Sequence, residues 1–505
     1  MRAAMLVAAG AALAARLLTG PHPIDDAYIT FRYARNLAEG LGLVYNPGEW
    51  VLGTTTPLWA LILGLGYRLG WTDLPSLASS LAAVCDALSA ALLVGLSARL
   101  GWGGRGAAGV GLAWALNPMS IAFAVGGMET SLFVTLCLSA LSLAATQRLA
   151  WAGLLSGVSC LVRPEGLLLG LVCVAWSTRR GRRGFITSGA LVGVPVVVAA
   201  SVFLAVYGSP LPHSMAAKQA AYRAHWPLEN ALAMIIQAGL PGWSTYLLSV
   251  LPAAAGLLLA AAGLTGLLAL GRLSFSTLRS HGLGPQPFVA FGGLYVLFYV
   301  AVGFKGVRLF PWYLVPIIPF YILLASAGLA RLSQLRPRFR TSMASLAGLI
   351  VVWQLPAVDW RQPLLPIGSG FGREQVLLEA GQALRVSLPA DAVVAAPEIG
   401  ALGYASTLRI LDTVGLVSPA ALPYYPVPED QVVPDADNAI PPRLIRDQRP
   451  EAVVTMDAFA RRSLLLDGGF RADYRLEASY PADVWASHEL WVFRRVPAVT
   501  GTAAP

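Results

Sequence analysis

Lysine is almost missing from these 505 residues: it occurs twice, at Lys218 and Lys305. Charge of every kind is scarce, 12% of the chain against about a quarter in an average globular protein. That excludes a disordered protein and an ordinary cytosolic enzyme. Cysteine occurs four times, at Cys85, Cys137, Cys160 and Cys173, always inside apolar runs. A disulfide framework and a cysteine metal site are therefore not expected, and the four read as packing residues. No basic stripe interleaved with aromatics lies in a soluble segment, which argues against nucleic acid as a partner.

What the chain has in excess is apolar sequence, 56% of residues, with a mean hydropathy of +0.63. The pattern predicts a polytopic α-helical membrane protein. Runs long enough to span lie at about 3–19, 75–98, 106–125, 129–147, 185–206, 246–271, 288–304, 311–331 and 341–357. Residues 150–178 are interrupted at Arg163-Pro164-Glu165 and read as two short helices meeting there. The total is about eleven spans. The first run carries Arg16 and has no clean cleavage site, so it is expected to be retained.

Charge divides the chain in two. Residues 1–357 hold 23 Lys and Arg against 9 acids, and residues 358–505 hold 13 against 18. We therefore expect a membrane module over 1–357 and a small α/β domain over 358–505. Fourteen of the 23 basic residues fall in alternate connections, whereas no acid does. That bias places the N-terminus in the cytoplasm and the C-terminal domain outside. Residues 20–74 must then all lie outside, so the apolar stretch 56–70 and the segment 26–39 are predicted as interfacial helices. In the tail, 373–387 reads as a helix, and 392–396, 409–412, 452–455, 474–478 and 490–494 read as strands. The stretch 418–442, with seven prolines, reads as loop.

The sharpest local feature is Asp25-Asp26, just beyond the first span. Two carboxylates beside apolar surface are costly unless they hold a cation, accept hydrogen bonds or work. Partial desolvation suits a carboxylate to general-base chemistry; Asp26 capping the helix that follows is the plainer reading. Further along stand Gly126-Gly127-Met128-Glu129, Arg163-Pro164-Glu165, Tyr207-Gly208-Ser209-Pro210-Leu211-Pro212-His213, and Phe304-Lys305-Gly306-Val307-Arg308. Lys218, Lys305 and Arg308 are candidates for a phosphate or for snorkelling at helix ends. Arg163 with Glu165 suggests a pair that fixes the helix break. Tyr28 and Arg32 are placed to orient the carboxylates, His213 is a candidate base or ligand, and Trp59, Trp312 and Tyr313 read as interfacial aromatics.

Taken with DDAYITFRYARNL and GLVYNPGE, these motifs resemble the GT-C superfamily of integral-membrane glycosyltransferases. The first-loop motif is most similar to the bacterial branch around the mycobacterial terminal arabinofuranosyltransferases. The resemblance implies a polyprenyl-phosphate sugar donor and inverting transfer, at the outer face of the inner membrane, to a cell-envelope glycan, lipid or protein. It implies Asp26 or Asp25 as catalytic base, and for many members a divalent metal, Mg or Mn, here assigned to Asp25 and Glu129. Arg308, Lys305, Arg163 and Lys218 are the expected phosphate ligands, with Tyr28, Arg32, Glu165 and His213 in supporting places. A transporter or flippase of lipid-linked sugars is the alternative, but the acids gather on one side instead of lining a path through the bundle.

Overall fold

Small residues decide how the first helices meet. The computed structural model describes residues 1–99, 101–221, 228–238, 271–272, 276, 286–335, 371–434, 436, 438–484 and 486–496. Helix α1 (Arg2–Thr19) buries Ala4, Ala8, Ala12 and Ala15, one stripe at helical spacing. The helices α2 (Asp25–Ala38) and α3 (Pro57–Arg68) follow and pack on each other. Then come α4 (Leu74–Arg99), α5 (Gly104–Ala115) and α6 (Pro118–Val125). The alanine stripe of α1 lies against α4 and α5, and a Cβ at Gly111 would come 2.7 Å from that of Ala8. Without a hydrophobic drive between helices in lipid, such close approach supplies the packing.

The expected span 106–125 is bent by 50° between α5 and α6. Pro118 removes a backbone donor there, and Asn117 caps the new helix by accepting from the Ser120 N–H. Arg16 occupies the elbow. Its guanidinium bonds Asp86 at 2.9 Å and donates to the Ala115 carbonyl and the Ser120 hydroxyl. Both Arg16 and Asp86 are fully buried. The two charges within the first spans thus satisfy each other and a carbonyl freed by the bend.

Helices α7 (Thr130–Ala145), α8 (Leu149–Cys160), α9 (Gly166–Ser177) and α10 (Gly181–Tyr207) form the next layer. The stretch Gly166–Tyr207 is no single rod. At about 1.5 Å per residue it would be roughly twice the thickness of a bilayer core. It folds back at Gly181, whose φ of +70° suits glycine, and α10 packs on α8 and α9. Gly153 and Gly157 of α8 let the α10 backbone approach. Then follow α11 (His213–Ala221), α12 (Leu228–Gln237), α13 (Gln286–Phe304) and α14 (Ile318–Leu335). Among the described residues five helical stretches are long and apolar enough to span, six with the bent pair. Nearly all of 246–271, all of 341–357, and Arg279, Arg336, Arg338 and Arg340 lie outside the described residues.

The tail opens with α15 (Phe371–Ser387), followed by β1 (Val393–Ala396), α16 (Gly400–Ser406) and β2 (Arg409–Asp412). It continues with α17 (Pro442–Gln448), β3 (Ala452–Met456), α18 (Gly468–Asp473), β4 (Tyr474–Val484) and β5 (Ser487–Arg495). The sheet order is β2-β1-β3-β5-β4. The first two pairings are parallel and the last two antiparallel. β4 and β5 form a longer hairpin than the sequence pattern suggests. The proline-rich loop contains two short 3-10 turns, 419–424 and 429–431.

Candidate functional site

The two adjacent aspartates of the first loop face different neighbours. Helix α2 begins at Asp25 with Ile24 at its cap position and no side-chain cap, so Asp26 does not cap it. The Asp25 carboxylate is buried and accepts from the backbone N–H groups of Gly400 at 3.1 Å and Ala401 at 2.8 Å. It is the cap of α16, a helix of the tail. Seven residues on, Arg32 reaches the other end of the same helix. Its guanidinium donates to the carbonyls of Gly403 at 2.6 Å, Leu408 at 2.7 Å and Tyr45 at 2.8 Å. An acid at the N-terminal end and a cation at the C-terminal end both suit the helix dipole. Arg32 therefore holds the tail and does not orient Asp26.

The rest of the conspicuous first-loop motif does the same. Asn46 bonds both the N–H and the carbonyl of Ile410, at 3.1 and 2.9 Å, pairing like a one-residue strand with β2. The Tyr45 hydroxyl donates to the Ile399 carbonyl at 2.6 Å. Tyr28 packs on Phe31 and Tyr404. Glycine is required where α16 meets α2: a Cβ at Gly400 would overlap the Asp25 carbonyl, and one at Gly403 the Tyr45 hydroxyl.

Around Asp25 lie Arg373, Glu374 and Glu398 of the tail, which composition and spacing did not single out. Arg373 bonds Glu374 at 2.5 Å and Glu398 at 3.2 Å. Glu374 accepts from the Asp25 N–H at 3.1 Å. Burial raises the Asp25 carboxyl to about 6, against the pull of Arg373 and the Ala401 N–H. Burial likewise raises Glu398 to about 7, with Arg373 opposing.

Asp26 is half-buried, and its carboxylate has no hydrogen-bond partner among the described residues. Its charge acts on Lys218 of α11 and on Glu129. Glu129 is brought there by Gly127, whose φ is +78° and whose missing side chain makes room for Phe31 and Ala27 of α2. Arg163, at the break between α8 and α9, sits between two acids. Its guanidinium lies 2.9 Å from Glu165 and 3.4 Å from Glu129, and it donates to the Trp312 carbonyl at 3.2 Å. The expected Arg163–Glu165 pair is present and is enlarged by Glu129. The Tyr299 hydroxyl donates to Glu165, and Tyr299 stacks on Tyr313.

Lys218 completes this end of the bundle. Its ammonium lies 3.2 Å from the Tyr313 hydroxyl and faces the Phe310 ring at 6.0 Å. Burial lowers its pKa, but Tyr313 and Asp26 outweigh that and hold it protonated. The guanidinium of Arg308 covers the Phe310 ring from 5.7 Å. Asp26, Lys218, Glu129, Arg163 and Glu165 thus share one site, and Arg308 joins it through Phe310. Lys305 is exposed beyond the end of α13. His213 donates its N–H to the Leu52 carbonyl at 2.8 Å, its ring lies by Gly415 of the tail, and burial lowers its pKa. Trp59 is no interfacial anchor: it is 2% exposed and donates to the Gly127 carbonyl at 3.1 Å. Trp312 and Tyr313 wall the site.

The donor set at Asp25 and Glu129 does not suit a divalent cation. Both Asp25 oxygens are taken by amides, and Glu129 faces the Arg163 guanidinium. Among the described residues no three His, Cys, Asp or Glu side chains are grouped to hold a metal. Tyr299 and Tyr295, whose hydroxyl donates to the Tyr313 carbonyl at 2.8 Å, sit inside an apolar run that hid them; two tyrosines four apart on one helix face were the available signal.

A family model described as a domain of unknown function (DUF8728) matches residues 369–495. No curated protein matches the chain. Among solved structures, the chain is similar to ArnT from Cupriavidus metallidurans in its apo crystal structure. The TM-score is 0.52 at 14% identity, over 97% of each chain. The crystal structure of the same protein bound to undecaprenyl phosphate gives 0.50 at 15%, over 98% of each. The likeness shows an ArnT-like fold, a helical part with several long apolar helices followed by a small C-terminal sheet domain. The arabinofuranosyltransferase branch gains no support from these likenesses.

Proposed function

We propose that the protein is a glycosyltransferase that takes its sugar from a polyprenyl-phosphate donor at the outer face of the bacterial inner membrane. The observation that carries this reading is the meeting of Asp26, Lys218 and the Glu129–Arg163–Glu165 cluster at one end of an ArnT-like bundle. ArnT is a GT-C glycosyltransferase, and one of its structures holds undecaprenyl phosphate.

Asp26 is the base, because the oxygens of Asp25 are already occupied. It takes the proton of an acceptor hydroxyl. The oxygen attacks the anomeric carbon, the bond from that carbon to the phosphate oxygen breaks, and its electron pair leaves with the lipid phosphate. Lys218 and Arg308 stabilise the charge that develops on that phosphate. Arg163 keeps the helix break and its two acids in place, so it shapes the site instead of clamping the phosphate. No step runs through a metal. The acceptor is a cell-envelope glycan, lipid or protein. Transport is disfavoured because Arg16 and Asp86, the charges inside the first spans, are sealed against each other and line no path.

The test is transfer from a panel of radiolabelled polyprenyl-phosphate sugars by the full chain in liposomes. Turnover of one donor by wild type, lost in Asp26→Asn with donor binding retained, is the expected result. Wild-type turnover by Asp26→Asn would remove Asp26 as the base.

A further inference from the structure

A second charged cavity lies at the opposite end of the bundle from Asp26. It occupies about 510 Å³ between the α7–α8 connection and the start of α10, and is lined by Gln147, Arg148, Trp151, Arg180, Arg183 and Thr187, with backbone of neighbouring residues. Glu129 precedes the sixteen residues of α7 and Arg148 follows them. At about 1.5 Å per residue the two ends stand roughly 24 Å apart, so this cavity is no part of the site above.

Three arginines line the cavity, and among the described residues no carboxylate pairs with Arg148, Arg180 or Arg183. Arg148 stands at the start of α8, where the helix dipole favours acids over cations. Three like charges around one hollow repel each other unless an anion sits between them. The walls belong to lipid-facing helices: of α10 only Ser188 is buried, and Trp151 is 62% exposed beside the arginines, as an interfacial anchor would be. Basic pockets between spans at a membrane surface bind phosphate head groups.

We propose that this cavity binds a phosphate group presented by an anionic phospholipid of the surrounding leaflet, with Arg148, Arg180 and Arg183 as its ligands. The choice of a lipid over free phosphate rests on the exposed apolar surface beside the cavity, along α10 and at Trp151, which acyl chains would cover. The site is independent of the proposed transfer reaction.

The full chain, delipidated in detergent, would be titrated with dioleoylphosphatidylglycerol and, in parallel, dioleoylphosphatidylcholine, with adducts counted by native mass spectrometry. Wild type should keep phosphatidylglycerol in preference to phosphatidylcholine. The Arg148→Gln/Arg180→Gln/Arg183→Gln variant should lose at least about tenfold in phosphatidylglycerol affinity, as expected when charge-assisted contacts to one phosphate are removed. Arg179→Gln/Arg182→Gln, which changes neighbours that do not line the cavity, should bind like wild type. Equal losses in both variants would reduce the effect to general surface charge and overturn the proposal. A photoreactive phosphatidylglycerol should label residues 147–151 and 180–187 of wild type, a readout that needs no variant; labelling elsewhere overturns it. Displacement by millimolar inorganic phosphate would assign the site to a soluble anion and refute the lipid.

Discussion

Replacing Asp25 by Ala tests the division of labour between the two aspartates. The change leaves the Gly400 and Ala401 N–H groups without an acceptor in a buried interface. Each unpaired buried donor costs about 1–3 kcal/mol. Taking the lower bound, because water can enter the space left behind, the docked tail loses about 2 kcal/mol, a factor of roughly 30 in the ratio of docked to undocked forms. Hydrogen exchange of the full chain in detergent reads this directly. Peptides covering 399–407 should lose at least about 30-fold in protection, while β3 and β5, held by their own sheet, should not change. Turnover should fall only with the docked fraction. Asp26→Asn should do the reverse, leaving α16 protected and removing turnover. Wild-type exchange in Asp25→Ala, or a loosened α16 in Asp26→Asn with turnover intact, would refute the reasoning.

Gly403→Ala should undock the tail more severely than Asp25→Ala, because the new methyl meets the Tyr45 hydroxyl and the Arg32 guanidinium; exchange over 399–407 reports it. Acid should tighten docking. Burial raises Asp25 from 3.8 to about 6 and Glu398 from 4.5 to about 7, so the docked form holds protons that an exposed carboxyl would release. Docking is then strongest below about pH 4 and weakens as pH rises through 6 and 7, visible as falling α16 protection after correction for intrinsic exchange; a rise would contradict it. Arg16→Met should lower stability in detergent by about 3–5 kcal/mol, since it strands a buried Asp86, and Arg16→Met/Asp86→Leu should recover part of that. Lys218→Met should raise KM for the donor at least about tenfold and leave α16 exchange unchanged, as expected for a charge-assisted contact to phosphate. Turnover should be insensitive to EDTA, because the Asp25 oxygens are taken by amides and Glu129 faces Arg163; loss of turnover on chelation would contradict this.

Much of the architecture was legible along the chain. Long apolar runs predict helices because lipid leaves a backbone no other partners, and the scarcity of acids in 1–357 against their abundance after 358 sets an apolar stretch apart from a charged one. The two short helices around Arg163-Pro164-Glu165 and the short helices α2 and α3 follow from the same local rules. Asp26, Lys218, Arg163 and Glu165 were also readable as candidates, since polar groups beside a bilayer are costly enough to need a reason.

Which candidates work together was not readable. Asp25 and Asp26 are neighbours in sequence, yet one step along α2 turns the side chain by about 100°, so one faces the tail and the other Lys218. The partners of Asp25 and Arg32 lie more than 365 residues away, at Gly400 and Gly403. Asp86 and Arg16 meet across 70 residues to close a helix bend. No local pattern encodes those meetings. By itself the sequence determined which segments are long and apolar enough to enter a membrane and which polar residues beside them need a reason. Only the packing of the tail onto the first loop decided that most of the conspicuous motif is a clamp, with Asp25 bonded to the tail and Asp26 left without a hydrogen-bond partner among the described residues.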